Sequence, residues 1–140
     1  MTPDTVALVQ QSFKQVVPIA GQVGEIFYAR LFETYPSVRP MFAEDIKPQA
    51  KKLVQMLAMV VNGLDKLDTL LPAVQDLARR HKTYGVVDAH YPAVGETLIW
   101  TLEQGLGDDF TPELRQAWST AFQTLAGVMI ATNSEAASAA

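Results

Sequence analysis

The amino-acid sequence predicts an all-α protein with about six long helices and one short helix. Apolar residues recur at steps of three and four along almost the whole chain, and alternating strand patterns are absent. Several prolines stand at positions typical of a first helical turn. The length of 140 residues suits a single core that needs no disulfide or metal to fold. We therefore expect one helical domain over 1–133 and a flexible tail over 134–140.

The first half of the chain contains two long helices and a short one. The first begins at Thr2, has Pro3 at its first helical position and ends at Pro18. A second helix spans about 20–34 and stops there, because the residue before a proline avoids the helical conformation. A short helical turn over 36–42 follows.

The second half contains the remaining long helices. Pro48 begins the third, and the fourth ends at Gly85. The fourth helix has an apolar stripe at steps of four, three and four: Leu70, Val74, Leu77 and His81. The fifth helix begins near Pro92. The sixth begins at Thr111, where a capping residue precedes Pro112.

Composition excludes several classes of function. The chain has 15 acidic and 11 basic residues, and it lacks the basic stripe with which proteins bind nucleic acid. The absence of cysteine excludes disulfides, thiolate zinc sites, iron–sulfur clusters and a cysteine nucleophile. The N-terminus lacks the pattern of a signal peptide, and no apolar run approaches the ~18 residues of a membrane span. We expect a cytoplasmic protein that neither binds nucleic acid nor inserts into a membrane.

His81 is unusual because it lies on an apolar stripe. A buried imidazole needs a partner for each ring nitrogen, or it loses about 1–3 kcal/mol. A backbone carbonyl or the helix dipole could interact with the imidazole of His81. Alternatively, one of its nitrogens could ligate a metal. His90 is the only other histidine, so the chain lacks the three or four ligands of a zinc site. A metal held by His81 must bring its other ligands with it, as haem does.

Three residues are candidates for the opposite wall of such a pocket. Tyr28 lies beside the apolar face of the second helix, and Gln49 lies in the first turn of the third, one turn before Leu53. Phe42 ends the short helical turn. Each also has an ordinary explanation: Tyr28 as the edge of the core, Gln49 as a solvated residue and Phe42 as a core aromatic. These patterns alone therefore predict an all-α domain with a histidine in an apolar setting.

The chain resembles the globins, and within that family the single-domain bacterial globins related to flavohaemoglobins. The resemblance covers about residues 3–130. It includes features similar to neuroglobin over 94–118. The segments that carry it are FYARLF at 27–32, YPSVRPMF at 35–42, RRH at 79–81 and HYP at 90–92.

The resemblance implies a globin fold that encloses a b-type haem, with the haem iron held by His81. It further implies that Tyr28 and Gln49 stabilise a gas ligand on the distal side. The other haem contacts that it implies are Phe42, Lys52, Leu53, Val86 and Tyr91. Lys52 is the candidate partner of a haem propionate, although a solvated charged face explains this lysine equally well.

One position departs from the flavohaemoglobin pattern. In those proteins a late glutamate pairs with the proximal histidine and pushes electron density towards the iron, but the position that corresponds here is Asn133. We expect reversible binding of O2, NO and CO, with slow O2 release, by a monomer or weak homodimer. One alternative is nitric oxide dioxygenase activity with a separate reductase, since flavin and nicotinamide domains are expected to be absent. Another is a haem-free globin-fold interaction or sensor module.

Overall fold

A computed structural model of the protein describes residues 2–83 and 90–139. Within these residues the chain forms six α-helices and no strand, so the all-α prediction is confirmed. Three short 3₁₀ turns join consecutive helices, and a longer one over Pro36–Met41 is the predicted short helix. The helices are α1 (Pro3–Val16), α2 (Ala20–Thr34), α3 (Lys47–Asn62), α4 (Leu67–Thr83), α5 (His90–Leu106) and α6 (Pro112–Ala139).

The helix starts follow from the capping residues that the sequence contains. The Thr2 hydroxyl accepts a 3.1 Å hydrogen bond from the Thr5 amide at the start of α1. The Thr111 hydroxyl accepts one of the same length from the Leu114 amide at the start of α6. Each cap satisfies an amide that has no partner within its own helix. Between α5 and α6 the chain turns at Gly107, whose φ of +57° is a conformation that glycine adopts without strain.

The ends of α1 and α6 were not predicted equally closely. α1 ends at Val16, close to the predicted end at Pro18, which lies in the 3₁₀ turn Val17–Ile19 that leads directly into α2. The last helix continues to Ala139 rather than ending near 133. The segment after 133 contains no glycine or proline and is rich in alanine, so nothing in its sequence terminates a helix. The flexibility expected of 134–140 stays a prediction.

The helices that carry the candidate residues are held by different partners. α2 packs against α3 and α5, whereas α4 packs against α6. α1 also packs on α6, where the Trp118 indole N–H donates a 2.9 Å hydrogen bond to the buried Ser12 hydroxyl. The residues of α3 and those of α4 are therefore positioned by separate parts of the core.

None of the described helices combines the length and apolar character needed to cross a membrane.

The crossing of α2 and α3 is unusually close. A Cβ atom added to Gly24 would lie 2.7 Å from the Ala50 carbonyl oxygen, a distance that real Cβ atoms essentially never show. Only glycine therefore fits at this point of α2 without a shift of the backbone. Tyr28 lies one turn after Gly24, and Gln49 directly precedes Ala50. The close crossing thus brings Tyr28 and Gln49 to the same place in the fold.

Candidate functional site

Tyr28 and Gln49 form a hydrogen-bonded pair between α2 and α3. The Gln49 side-chain amide donates to the Tyr28 hydroxyl oxygen, with 3.3 Å between the heavy atoms. Tyr28 is 4% exposed, and its burial raises the pKa of the hydroxyl above the usual range, while the bond from Gln49 works in the opposite direction. The hydroxyl is therefore protonated at neutral pH. Because its oxygen accepts from Gln49, its own O–H remains able to donate to another group.

Aromatic rings surround Tyr28. The Phe27 ring meets it edge-on with 5.0 Å between ring centroids, and the Phe42 ring meets it at 5.3 Å and an angle of 63°. Phe32 lies 5.8 Å from Tyr28 and 5.3 Å from Phe42. Such tilted and edge-on contacts are the favoured geometries of aromatic pairs. The structure thus brings together the three residues predicted for one wall of the pocket: Tyr28, Phe42 and Gln49.

His81 lies in α4, and one of its ring nitrogens has a defined partner. Its Nδ1 lies 2.8 Å from the Leu77 carbonyl oxygen, one helical turn earlier. A carbonyl only accepts, so Nδ1 must carry the proton of this hydrogen bond. In the neutral imidazole the lone pair is then on Nε2, the nitrogen that remains for a metal. The carbonyl partner considered from the sequence is therefore present, and it leaves the second nitrogen for ligation.

The burial of the α4 side chains adds one residue, Ala78, to the predicted apolar stripe. Leu70, Val74 and Ala78 are buried, and Ala78 has 0% exposure. Leu77 and His81 are half-buried, and Leu77 packs against the core. Periodicity underestimated Ala78 because its side chain is small. That small side chain suits a position where α4 packs against α6.

The other predicted contacts have different settings. Leu53 is half-buried one turn after Gln49, and Lys52 is exposed beside it on α3. Tyr91 is buried in the first turn of α5, and its hydroxyl oxygen is also covered. Val86 lies outside the described residues, and so does the Gly85 at which α4 was expected to end. The side chain of Asn133 likewise lies outside the described part of the chain. The haem roles assigned to these residues stay predictions.

The described residues contain no group of three or more histidine, aspartate or glutamate side chains that could hold a metal ion. His81 therefore provides a nitrogen donor without a surrounding protein ligand set in this part of the chain. A separate groove of about 680 Å³ lies between α5 and α6, and Tyr91 lines it. Neither Tyr28, Gln49 nor His81 lines this groove, so the groove is distinct from the candidate site.

Comparison with known protein sequences agrees with these observations. The family model described as Globin matches residues 25–129 of the 140. A flavohemoprotein of Bacillus subtilis is 31% identical over 124 residues, which cover 84% of this chain and 31% of that protein. A flavohemoprotein of Pseudomonas aeruginosa is 32% identical over 125 residues, which cover 84% of this chain and 32% of that protein. The chain thus spans about a third of the length of these curated relatives.

Solved structures share the fold over nearly the whole chain. A bacterial globin from Campylobacter jejuni has a TM-score of 0.87 at 23% identity, covering 98% of this chain and 99% of its own. An engineered carbene transferase, named as a candidate nitric oxide dioxygenase from Rhodothermus marinus, has a TM-score of 0.89 at 28% identity. That match covers 99% of this chain and 97% of the other. The predicted globin fold is confirmed, and the chain belongs to the globin family.

Proposed function

We propose that the chain is a b-type haem protein that binds O2 reversibly and releases it slowly, with His81 as the protein ligand of the haem iron. The observation that carries this proposal is the hydrogen bond from His81 Nδ1 to the Leu77 carbonyl. In the neutral imidazole this bond leaves the lone pair on Nε2, which would bind the iron. A histidine that binds a metal through one nitrogen almost always donates from the other, since that bond fixes the tautomer and the orientation of the ring.

The surroundings of these residues also suit a flat apolar cofactor. The side chains of Phe42, Leu53 and Leu77 are half-buried, so each keeps apolar surface that other side chains do not cover. Lys52 is exposed on α3 and would pair with a propionate at the haem edge. When bound, haem supplies an iron atom with one open coordination position at which a diatomic gas binds.

Tyr28 and Gln49 would determine how long the gas stays. The Tyr28 hydroxyl is protonated, and it would donate a hydrogen bond to a ligand atom with partial negative charge. The Gln49 amide holds the tyrosine oxygen with one N–H and has a second N–H to donate. A hydrogen bond to a charged group contributes about 1.5–3 kcal/mol, which corresponds to roughly tenfold to a hundredfold slower release. CO is less polarised than O2 and would gain less from these donors.

Nitric oxide dioxygenase activity is the second candidate function. It is favoured by the similarity to flavohemoproteins and by the name of the Rhodothermus marinus neighbour. In that reaction O2 and NO combine with one electron to give nitrate. We propose that a separate reductase supplies this electron. Tyr28 and Gln49 would hold O2 until NO arrives.

One series of measurements distinguishes these functions. The purified chain is loaded with haem and reduced, and its O2 release is followed in a stopped-flow instrument by displacement with CO. The oxygenated protein is then mixed with NO, with and without a flavin-containing reductase and NADH, and nitrate is counted per haem. Slow release without repeated turnover supports O2 binding, whereas sustained nitrate formation with the reductase supports dioxygenase activity. A chain that shows no Soret band after haem addition contradicts both and favours a haem-free interaction module.

A further inference from the structure

One arginine holds the irregular segment between α2 and α3. Residues 42–46 follow the short 3₁₀ turn and lack regular helical structure. The Arg39 guanidinium donates from Nη1 to the carbonyls of Phe42 and Ala43, at 3.2 and 3.0 Å, and from Nη2 to that of Glu44, at 2.9 Å. Outside regular structure, backbone carbonyls need donors from elsewhere. A single side chain supplies them here for three consecutive residues.

The same guanidinium also contacts the aromatic rings around Tyr28. Its central carbon lies 4.7 Å from the centre of the Phe32 ring. Phe32 packs on both Phe42 and Tyr28, with centroid distances of 5.3 and 5.8 Å. Arg39 therefore acts on the surroundings of Tyr28 in two ways, through the backbone of Phe42 and through the ring of Phe32. The guanidinium of arginine is planar and carries several N–H donors, so it can bond to carbonyls and contact a ring at the same time. The compact ammonium group of lysine lacks this geometry.

The hydrogen bond from Gln49 does not fix Tyr28 tightly by itself. Its length of 3.3 Å lies beyond the usual range of about 2.7–3.2 Å for such bonds. The direction of the Tyr28 hydroxyl must therefore depend strongly on how its ring is packed. Phe42 and Phe32 provide that packing on the side where Arg39 holds the chain.

We propose that Arg39 is a positioning residue for the gas-binding site. It holds Phe42 and Phe32 against Tyr28, and so keeps the Tyr28 hydroxyl directed towards the ligand without touching the ligand itself. This inference rests on the proposed function and deepens it. It makes the rate of gas release depend on a hydrogen-bonded backbone segment next to the site.

The test compares Arg39→Ala and Arg39→Lys with the control Arg30→Ala. Arg30 lies on α2 and stacks 4.6 Å over Trp100, so its loss removes a similar arginine–aromatic contact away from the segment 42–46. In the haem-loaded protein we expect Arg39→Ala to release O2 about threefold to tenfold faster, because the Tyr28 bond is misdirected rather than removed. Arg39→Lys should behave almost like Arg39→Ala, although it keeps the charge. Arg30→Ala should release O2 at the wild-type rate.

Hydrogen exchange of the haem-free chain gives a second readout. We expect the amides of residues 41–46 to exchange faster in Arg39→Ala than in Arg30→Ala. An Arg39→Ala protein that releases O2 at the wild-type rate overturns the inference, even if its melting temperature falls, since the arginine would then be merely structural. If Arg39→Ala does not fold, Arg39→Lys decides in the same way.

The two proposals fail separately. If the wild-type chain does not bind haem, the proposed function fails, and hydrogen exchange still tests whether Arg39 holds the segment. If the wild-type chain binds haem and releases O2 slowly while both Arg39 variants match it, only the positioning role of Arg39 is contradicted. Equal amide exchange of residues 41–46 in the Arg39→Ala and Arg30→Ala proteins also contradicts that role.

Discussion

The side-chain amide of Gln49 donates a hydrogen bond to the buried hydroxyl of Tyr28, which joins α3 to α2. The two residues meet because Gly24 lets the helices cross in contact with the backbone of Ala50. Since the tyrosine oxygen accepts this bond, the tyrosine proton stays available for a second acceptor. Tyr28 and Gln49 therefore form a coupled pair of donors.

Replacing Tyr28 by phenylalanine removes the proposed donor and keeps the ring. We expect the haem-loaded Tyr28→Phe protein to release O2 about tenfold faster, as the loss of one such hydrogen bond requires. Tyr35→Phe is the matched control, because the Tyr35 hydroxyl donates a 2.7 Å bond to Glu96 in an exposed setting. Stopped-flow displacement of O2 by CO measures both rates. An unchanged rate in Tyr28→Phe would remove this tyrosine from the site.

Replacing Gln49 by leucine removes the group that holds the tyrosine oxygen. We expect Gln49→Leu to speed O2 release about threefold to tenfold. The Tyr28 donor remains, but its oxygen loses the hydrogen bond from Gln49. Gln55→Leu is the control, because Gln55 is exposed on the same helix. In the Tyr28→Phe background the effect of Gln49→Leu should shrink, as expected of residues in contact. Fully additive effects in this double-mutant cycle would show that the residues act independently.

The protonation of Tyr28 predicts how O2 release depends on pH. Burial raises the pKa of this hydroxyl above the usual value for tyrosine, which is about 10. A raised pKa keeps the proton on the oxygen to higher pH, so the donor is present below that pKa and is lost as the pH rises through it. We expect the release rate to stay constant from neutral pH to about pH 10 and to increase only above it. An increase in the wild-type rate that is centred near pH 8 and absent in Tyr28→Phe would contradict this assignment.

The close crossing of α2 and α3 predicts opposite effects of two glycine substitutions. In Gly24→Ala the new Cβ would lie 2.7 Å from the Ala50 carbonyl oxygen, so the helices must separate. We expect a loss of about 1–3 kcal/mol in the free energy of unfolding. Gly21→Ala meets no atom within 4 Å and should stabilise the same helix by about 0.5–1 kcal/mol. Urea unfolding of both variants gives these values. Equal stabilities would contradict the close approach of α2 and α3 at Gly24.

Helix starts were the easiest features to predict, because their causes are local. The threonine–proline pairs at Thr2 and Thr111 contain both the cap and the preferred first residue of a helix. The pattern of apolar residues also predicted the positions of the long helices. In α4 it missed Ala78, which is fully buried. Apolar periodicity weights large side chains and misses a small one at a close helix contact.

The structure added contacts that one sequence does not indicate. Gly24 and Ala50 touch although they are distant in the chain, and nothing in the local pattern of either residue marks the other. The bonds from Arg39 to the carbonyls of 42–44 depend on how an irregular segment folds back on a side chain. Periodicity describes regular helices, so it carries no information about such a segment. Both features lie next to Tyr28 and help to determine its position.

His81 provides the most direct test of the proposed haem site. Wild-type, His81→Ala and His90→Ala proteins are titrated with haem, and the Soret band is recorded together with the far-ultraviolet circular dichroism. His90 is the only other histidine in the sequence, so its replacement controls for the loss of an imidazole. We predict that His90→Ala binds haem with the wild-type spectrum, whereas folded His81→Ala fails to bind haem stably. Stable haem binding with an unchanged spectrum in His81→Ala would contradict the assignment of His81 as the iron ligand.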